Sequence, residues 1–246
     1  MSAGETIDRR VTPEGHELLL LKRETEFEIH LEGRLLVASD CRRSERSLVE
    51  LAMSPLSQRD DKTVLLAGLG MGHTLRAVLD APGVIRVDVL EMFAAVVDWN
   101  REHFGRLNGD ALADPRVHLH TTDVLGFLKR IRYTPIEEVK EGWLAFLLDV
   151  DNGPSITTRR ENEALYSDEG IVRLEAALRP GGVLAVWSAV RELEFLQRMH
   201  ARMVNVAELL VPVDVGGQAS LDYIYRGRRP AEPRSGGNGK SRIAQA

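Results

Sequence analysis

The sequence predicts an α/β protein: a seven-stranded, mostly parallel sheet preceded by a small N-terminal β-meander. Three observations carry this. From Thr63 onward, short apolar runs alternate with amphipathic stretches, the pattern of βα units around a parallel sheet. The apolar run Val64-Leu65-Leu66-Ala67 enters a glycine-rich turn, Gly68-Leu69-Gly70-Met71-Gly72, and a helical stretch follows. The last two apolar runs have only Pro212–Gly217 between them, so they read as an antiparallel pair closing the sheet.

In chain order, three apolar-rich stretches come first: Glu17–Arg23, Phe27–Leu31 and Arg34–Ala38. Glu32-Gly33 between the last two suits a tight turn, and together they form the meander. Ser44–Met53 places Leu48, Leu51 and Ala52 on one helical face, and Pro55 with the polar stretch Ser57–Lys62 stops it. The sheet strands are then Thr63–Ala67, Ile85–Leu90, Val117–His120, Trp143–Asp149, Gly182–Ser188, Val204–Val211 and Leu221–Arg226. Helices are expected over Thr74–Asp80, Phe93–Phe104, Val124–Arg132, Asp168–Leu178 and Arg191–Met203, with Leu178–Gly182 as a helix stop. This gives a meander and helix over 1–56, an α/β domain over 57–226, and a tail over 227–246. Arg, Pro, Gly and Ser in that tail leave almost nothing to bury, so it is expected to be disordered.

With 246 residues and 43% hydrophobic content, the chain can bury one substantial core, with room for a small appendage. The single cysteine, Cys41, cannot form an intramolecular disulfide, and MSAGETIDRR lacks the apolar segment of a signal peptide. The expectation is a cytoplasmic protein. No apolar run approaches the ~18 residues needed to span a bilayer, so no membrane role is expected. A net charge of −5 with scattered basic residues lacks the basic stripe of a nucleic-acid binder, which leaves small molecules as ligands.

Gly68, Gly70 and Gly72 permit unusual backbone angles and close ligand approach, while the following helix aims free N–H groups at the turn. Glu91 ends the next strand about 20 residues on, where an acid accepts hydrogen bonds from ribose hydroxyls. Asp123 opens a helix where an adenine amino group can be held, although an N-cap alone would also place an acid there. Dinucleotide binding would need glycine at His73, which weakens that alternative. The strand ending Phe146-Leu147-Leu148 delivers Asp149 and Asp151 to the same crevice. One carboxylate there can deprotonate or orient an amine and the other can hold its charge; the competing reading is a capped polar turn. His118 and His120 alternate on one strand without a third ligand at a recognisable spacing, so no metal is expected. Trp187 can line a substrate pocket or fill the core, with core the favoured reading, and Cys41 has no His partner at a known spacing.

These residues resemble spermidine synthases and their relatives, aminopropyltransferases on the class I methyltransferase-like (Rossmann-like) fold behind a small β-domain. The resemblance runs from about Glu17 to Trp187. It rests on the meander, Val64–Gly72, Val87-Asp88-Val89-Leu90-Glu91, Asp114-Pro115-Arg116-Val117 with Asp123, the strand ending at Asp149, and Leu165-Tyr166-Ser167-Asp168 leading to Leu178–Ser188. It implies that the loop and Glu91 hold decarboxylated S-adenosylmethionine or S-adenosylmethionine, that Asp123 contacts adenine, that Asp149 assists an attacking amine, and that the protein is a homodimer. Departures concentrate at the second substrate. Met71 replaces the loop acid of the family, Gly33-Arg34-Leu35-Leu36 lacks its Gln, and Leu48-Val49-Glu50 keeps only the acid of its Tyr-His-Glu run. Asp149-Val150-Asp151-Asn152-Gly153-Pro154 replaces Asp-Ser-x-Asp-Pro. A diamine buried without matching carboxylates would be costly, so the amine acceptor stays open. Methyl transfer and a catalytically silent nucleoside-binding relative stand as alternatives.

Overall fold

The computed structural model of the chain describes residues 4–39, 42–134, 136–215 and 218–231. An antiparallel sheet comes first, with β1 (Glu5–Val11), β2 (Glu17–Arg23), β3 (Glu26–Leu31) and β4 (Arg34–Ala38) side by side in chain order. The sequence reading finds β2 to β4 and misses β1. None of the seven residues of β1 is buried, so no apolar alternation marks it; backbone pairing with β2 holds it. Between β3 and β4, Glu32 and Gly33 both have positive φ, 51° and 73°, as the tight turn requires.

Helix α1 (Arg42–Met53) leads to the second sheet: β5 (Lys62–Ala67), β6 (Val84–Glu91), β7 (Val117–Thr121), β8 (Trp143–Leu148), β9 (Leu178–Ser188), β10 (Val204–Val215) and β11 (Gln218–Arg228). Its order is β10-β11-β9-β8-β5-β6-β7, with β9, β8, β5, β6 and β7 parallel and β11 antiparallel to both β9 and β10. The expected antiparallel closure is therefore present. The helices are α2 (His73–Asp80), α3 (Ala94–Glu102), the short α4 (Gly105–Asn108), α5 (Val124–Tyr133), α6 (Asp168–Ala177) and α7 (Leu193–Arg202). Several boundaries differ from the sequence reading, and β10 runs on to Val215, so Pro212 to Val215 of the expected connection are strand paired with β11. Leu178 already pairs with Trp143, so the expected helix stop belongs to β9. Strand β11 continues to Arg228, past the expected start of the tail, because Gly227 and Arg228 pair with Leu184 and Val183. Cys41 and residues 232–246 lie outside the described residues.

All six residues of β5 are buried, and their alternation divides the interior. Val64 and Leu66 enter the core packed by α1, α2 and α3; Leu65 and Ala67 enter the one packed by α5, α6 and α7. Leu18, Leu20, Ile29 and Leu31 of the meander belong to the first core, so the N-terminal sheet packs on the larger one through shared apolar contact. Trp99 Nε1 donates to Asp8 at 2.9 Å, and the Phe27 and Phe104 rings meet edge to face with centroids 5.3 Å apart. No helix of the described residues is long and apolar enough to cross a membrane.

A charged cluster lies within the second sheet away from the glycine turn. Asp88 is fully buried and accepts from Arg86 at 2.7 and 2.9 Å and from Trp143 Nε1 at 2.9 Å. His120 Nε2 lies 2.8 Å from its other oxygen, which gives that histidine a structural partner. Among the described residues no group of three or more His, Cys, Asp or Glu could hold a metal ion. Burial alone would raise the Asp88 carboxyl, but hydrogen bonds from His120, Arg86 and Trp143 outweigh it and hold the pKa down at about 2. Asp88 thus stabilises the fold above its ordinary value of 3.8, and that contribution is lost as pH falls towards 2. Removing one partner of a buried ion pair typically costs about 3–5 kcal/mol. Asp88→Ala is therefore expected to lower Tm by several degrees at pH 7, with the gap to the unmodified protein narrowing between pH 4 and pH 2, as read by thermal melts across that range.

Candidate active site

The parallel strands deliver their carboxyl ends to one crevice, and β5 sits where the sheet order reverses between β6 and β8. A cavity opens there, lined by Gly68–Gly70 after β5, Glu91–Phe93 after β6, Thr122–Val124 after β7, Asp149–Asn152 after β8 and Trp187 on β9. Ile29, Leu36 and Val37 of the meander, with Ser44 and Glu45 of α1, close the other side. The two sheets therefore build the cavity jointly.

The three loop glycines have different jobs. Gly68 has φ +94°, and a Cβ on it would strike the carbonyl oxygen of Asp149, so glycine here lets the ends of β5 and β8 lie against each other. Gly70 has φ +51° and faces open space, the nearest atom to a Cβ being a Val37 methyl at 3.9 Å. Gly72 does not line the cavity. At φ +83° it starts α2, and a Cβ would collide with Asn100 and Asn108. Those buried amides hold the loop: Asn100 Nδ2 donates to the Gly70 carbonyl at 2.8 Å, and Asn108 Nδ2 donates to the Met71 carbonyl and to Asn100 Oδ1, both at 2.9 Å. The sequence reading places Gly72 at the ligand; the structure gives it a packing role. Met71 is fully buried in the core and contributes nothing to the cavity.

Glu91 accepts from the backbone N–H of Leu69 at 3.2 Å and of Phe93 at 2.8 Å. Burial pushes its carboxyl above the ordinary range, against these N–H donors, and the side chain remains on the cavity wall beside the turn. Asp123 Oδ1 caps α5 by accepting from Gly126 N at 2.8 Å, and the residue also lines the cavity. Asp149 accepts from the Thr74 hydroxyl at 3.0 Å. Burial raises its pKa from 3.8 to about 6; the Thr74 bond opposes this and the charge of Asp222 adds to it. Asp151 is occupied differently. Its oxygens accept from Thr158 N at 2.6 Å, Asn162 Nδ2 at 2.9 and 3.1 Å, and Tyr166 Oη at 2.8 Å. Burial raises it too, but these bonds make Asp151 the anchor of the segment after β8.

Several residues at the site escape sequence reasoning. Thr74, Glu45, Arg159 and Asn162 carry no motif, and the wall of Leu36 and Val37 reads from sequence only as strand. Glu50, kept from the family pattern, points outward and pairs with Arg46 at 2.9 Å. Trp187 is not simply core: it lines the cavity and donates from Nε1 to Asp222 at 3.2 Å. Two outcomes follow from this geometry. Gly70→Ala is expected to cost about 1 kcal/mol through its left-handed backbone and to weaken ligand binding, whereas Gly72→Ala costs more stability because its Cβ meets two buried amides; melts of both variants separate the cases. An acid whose folded pKa is raised loses stability as pH rises through that range, so Asp149→Asn is expected to raise Tm by a few degrees at pH 7 and by nothing near pH 3.

Comparisons with known proteins agree with this architecture. Residues 45–212 match the Spermine/spermidine synthase domain. A polyamine aminopropyltransferase of Mycobacterium tuberculosis is 27% identical over 170 residues, covering 69% of this chain and 30% of that protein. Polyamine aminopropyltransferase 2 of Pseudomonas aeruginosa is 33% identical over 147 residues, covering 58% of this chain and 39% of that protein. The chain thus spans about a third of the length of these relatives. The crystal structure of spermidine synthase from Thermotoga maritima superposes with a TM-score of 0.69 at 14% identity, covering 93% of this chain and 74% of that one, which establishes the shared methyltransferase-like fold. With a family match across more than half of its length, this chain belongs to the spermine/spermidine synthase domain family.

Proposed function

We propose that the chain is a cytoplasmic, homodimeric aminopropyltransferase that takes decarboxylated S-adenosylmethionine as co-substrate and a small amine as acceptor. The observation that carries this is the convergence on one cavity of the open Gly68–Gly70 turn, Glu91 and the desolvated carboxyl of Asp149. In this reading Glu91 accepts from the ribose hydroxyls and Asp123 from the adenine amino group. Gly70 gives the nucleoside an approach to the backbone without a Cβ in the way.

The acceptor nitrogen attacks the carbon beside the sulfonium sulfur. The acceptor arrives as an ammonium and gives one proton to Asp149, which frees its lone pair; the C–N bond then forms as the C–S bond breaks, the sulfur leaves as neutral methylthioadenosine, and the product nitrogen carries the positive charge as a secondary ammonium. The sulfonium already activates that carbon, so the protein mainly aligns the nitrogen and excludes water. A carboxylate with a pKa near 6 is ionised at neutral pH and still basic enough to receive the proton. Asp151 works one step removed, holding the segment after β8 against the cavity.

Methyl transfer from S-adenosylmethionine is the second reading, favoured by the burial of Met71, which leaves no acid in the turn to discriminate the carboxylated from the decarboxylated nucleoside. Product analysis separates the two, since aminopropyl transfer yields methylthioadenosine and methyl transfer yields S-adenosylhomocysteine. Turnover with any amine excludes a silent relative. Asp149→Asn is expected to lower kcat by about 10²–10⁴ with nucleoside affinity little changed. In the unmodified protein, kcat/KM is expected to fall on the acid side with an apparent pKa near 6, as read from a pH–rate profile. Unchanged turnover in Asp149→Asn, measured by product formation, removes Asp149 from the mechanism.

A further inference from the structure

Behind the cavity wall lies an acid that no motif marks. Asp222 stands on β11 and is only 8% exposed. Strand register pairs Ile224 with Trp187, so Asp222 lies diagonal to that indole on the same face of the sheet. Its carboxylate accepts from Trp187 Nε1 at 3.2 Å and from the Ser44 hydroxyl. Both donors line the cavity, one from β9 and the other from α1. A single buried acid therefore ties the larger sheet to the helix that follows the meander, directly behind the cavity surface.

Charge makes this arrangement more than a brace. The charge of Asp222 adds to the burial that raises the Asp149 carboxyl. Two acids sharing a desolvated region cost stability, and a positive charge entering the cavity relieves that cost. The other ionisable groups lining the cavity are Glu45 on α1, Glu91 after β6, Asp123 before α5, and Asp151 and Arg159 beyond β8. Tyr166, which feels the charge of Asp149, donates its hydroxyl to Asp151 and stays neutral, its pKa raised by burial and then by the Asp151 charge.

We propose that Asp222 is a positioning residue of the acceptor subsite: it fixes Trp187 and Ser44 as the wall and sets a second negative charge behind Asp149, so that the pair receives one ammonium group. The acceptor is then a small amine that seats its cationic nitrogen between Trp187, Asp149 and the meander residues Leu36 and Val37. This assignment rests on the aminopropyl-transfer reading for the identity of the acceptor, and its electrostatic part can be tested without turnover.

Asp222→Asn keeps an acceptor for the indole and removes the charge. Carboxyl ¹³C NMR titration of the ligand-free protein, with Asp149→Asn to assign the resonance, should show the Asp149 midpoint falling by about half a pH unit. Asp222→Thr, which also keeps an oxygen for the indole, should give the same fall and replaces the amide variant if that one does not fold. In steady-state assays, acceptor KM should rise about tenfold with kcat changed less than about threefold and nucleoside affinity unaltered. A purely structural role would leave the titration unmoved. An unshifted or raised Asp149 midpoint, or an unchanged acceptor KM, overturns the proposal. Absence of turnover in the unmodified protein counts against the aminopropyl-transfer reading alone, and the NMR midpoint then decides the role of Asp222.

Discussion

The approach of the Asp149 carbonyl to the α-carbon of Gly68 sets the spacing of everything around the cavity. Any side chain at Gly68 would push β8 away from β5, and the turn, the acid of β6 and the acid of β8 would no longer share one space. Backbone hydrogen bonds lock the same arrangement: Gly68 N donates to the Leu90 carbonyl and Asp149 N to the Ala67 carbonyl, both at 2.9 Å. The carbonyls of Gly70 and Met71 are then held from outside by Asn100 and Asn108. Protein partners thus hold Gly68 N, Leu69 N and the Gly70 and Met71 carbonyls, and the turn is open at Gly70 because there no neighbour crowds the missing side chain.

Two buried aspartates show how the same fold uses one residue type in opposite ways. Asp88 is given Arg86, Trp143 and His120, so desolvation is outweighed and the carboxylate stays ionised far into acid. Asp149 is given one hydroxyl and a like charge, so desolvation prevails and its pKa rises to about 6. The first arrangement stabilises; the second costs stability and keeps a base ready near neutral pH. Asp151, also raised by burial but saturated with donors, belongs with the first by its geometry although it borders the cavity.

Much of this was legible in the chain because regular structure leaves regular traces. The buried strands β5 and β8 stand out as unbroken apolar runs, the turn as closely spaced glycines, and the closing strands as two apolar runs without a helix between them. Strand β1 was not legible, since nothing in it is buried and its place is fixed by backbone pairing. Gly72 looked like a ligand contact because sequence shows that glycine is needed, not which neighbour would meet a Cβ. Glu50 matched a family pattern and yet points outward, while Glu45, one turn earlier and on another face of α1, reaches the cavity. Trp187 and Asp222 are 35 residues apart, so their contact exists only through the antiparallel register of β9 and β11. Tertiary contacts of that kind carry no local signal.

The claim on which the rest stands is that the cavity at Gly68–Gly70 and Glu91 holds a sulfonium nucleoside. Calorimetric titration of the purified protein with decarboxylated S-adenosylmethionine, and separately with S-adenosylmethionine, tests it most directly. The account predicts saturable binding, tighter for the decarboxylated form, that is weakened when Glu91 is replaced by Gln. No heat with either nucleoside, together with no thermal shift, would contradict it.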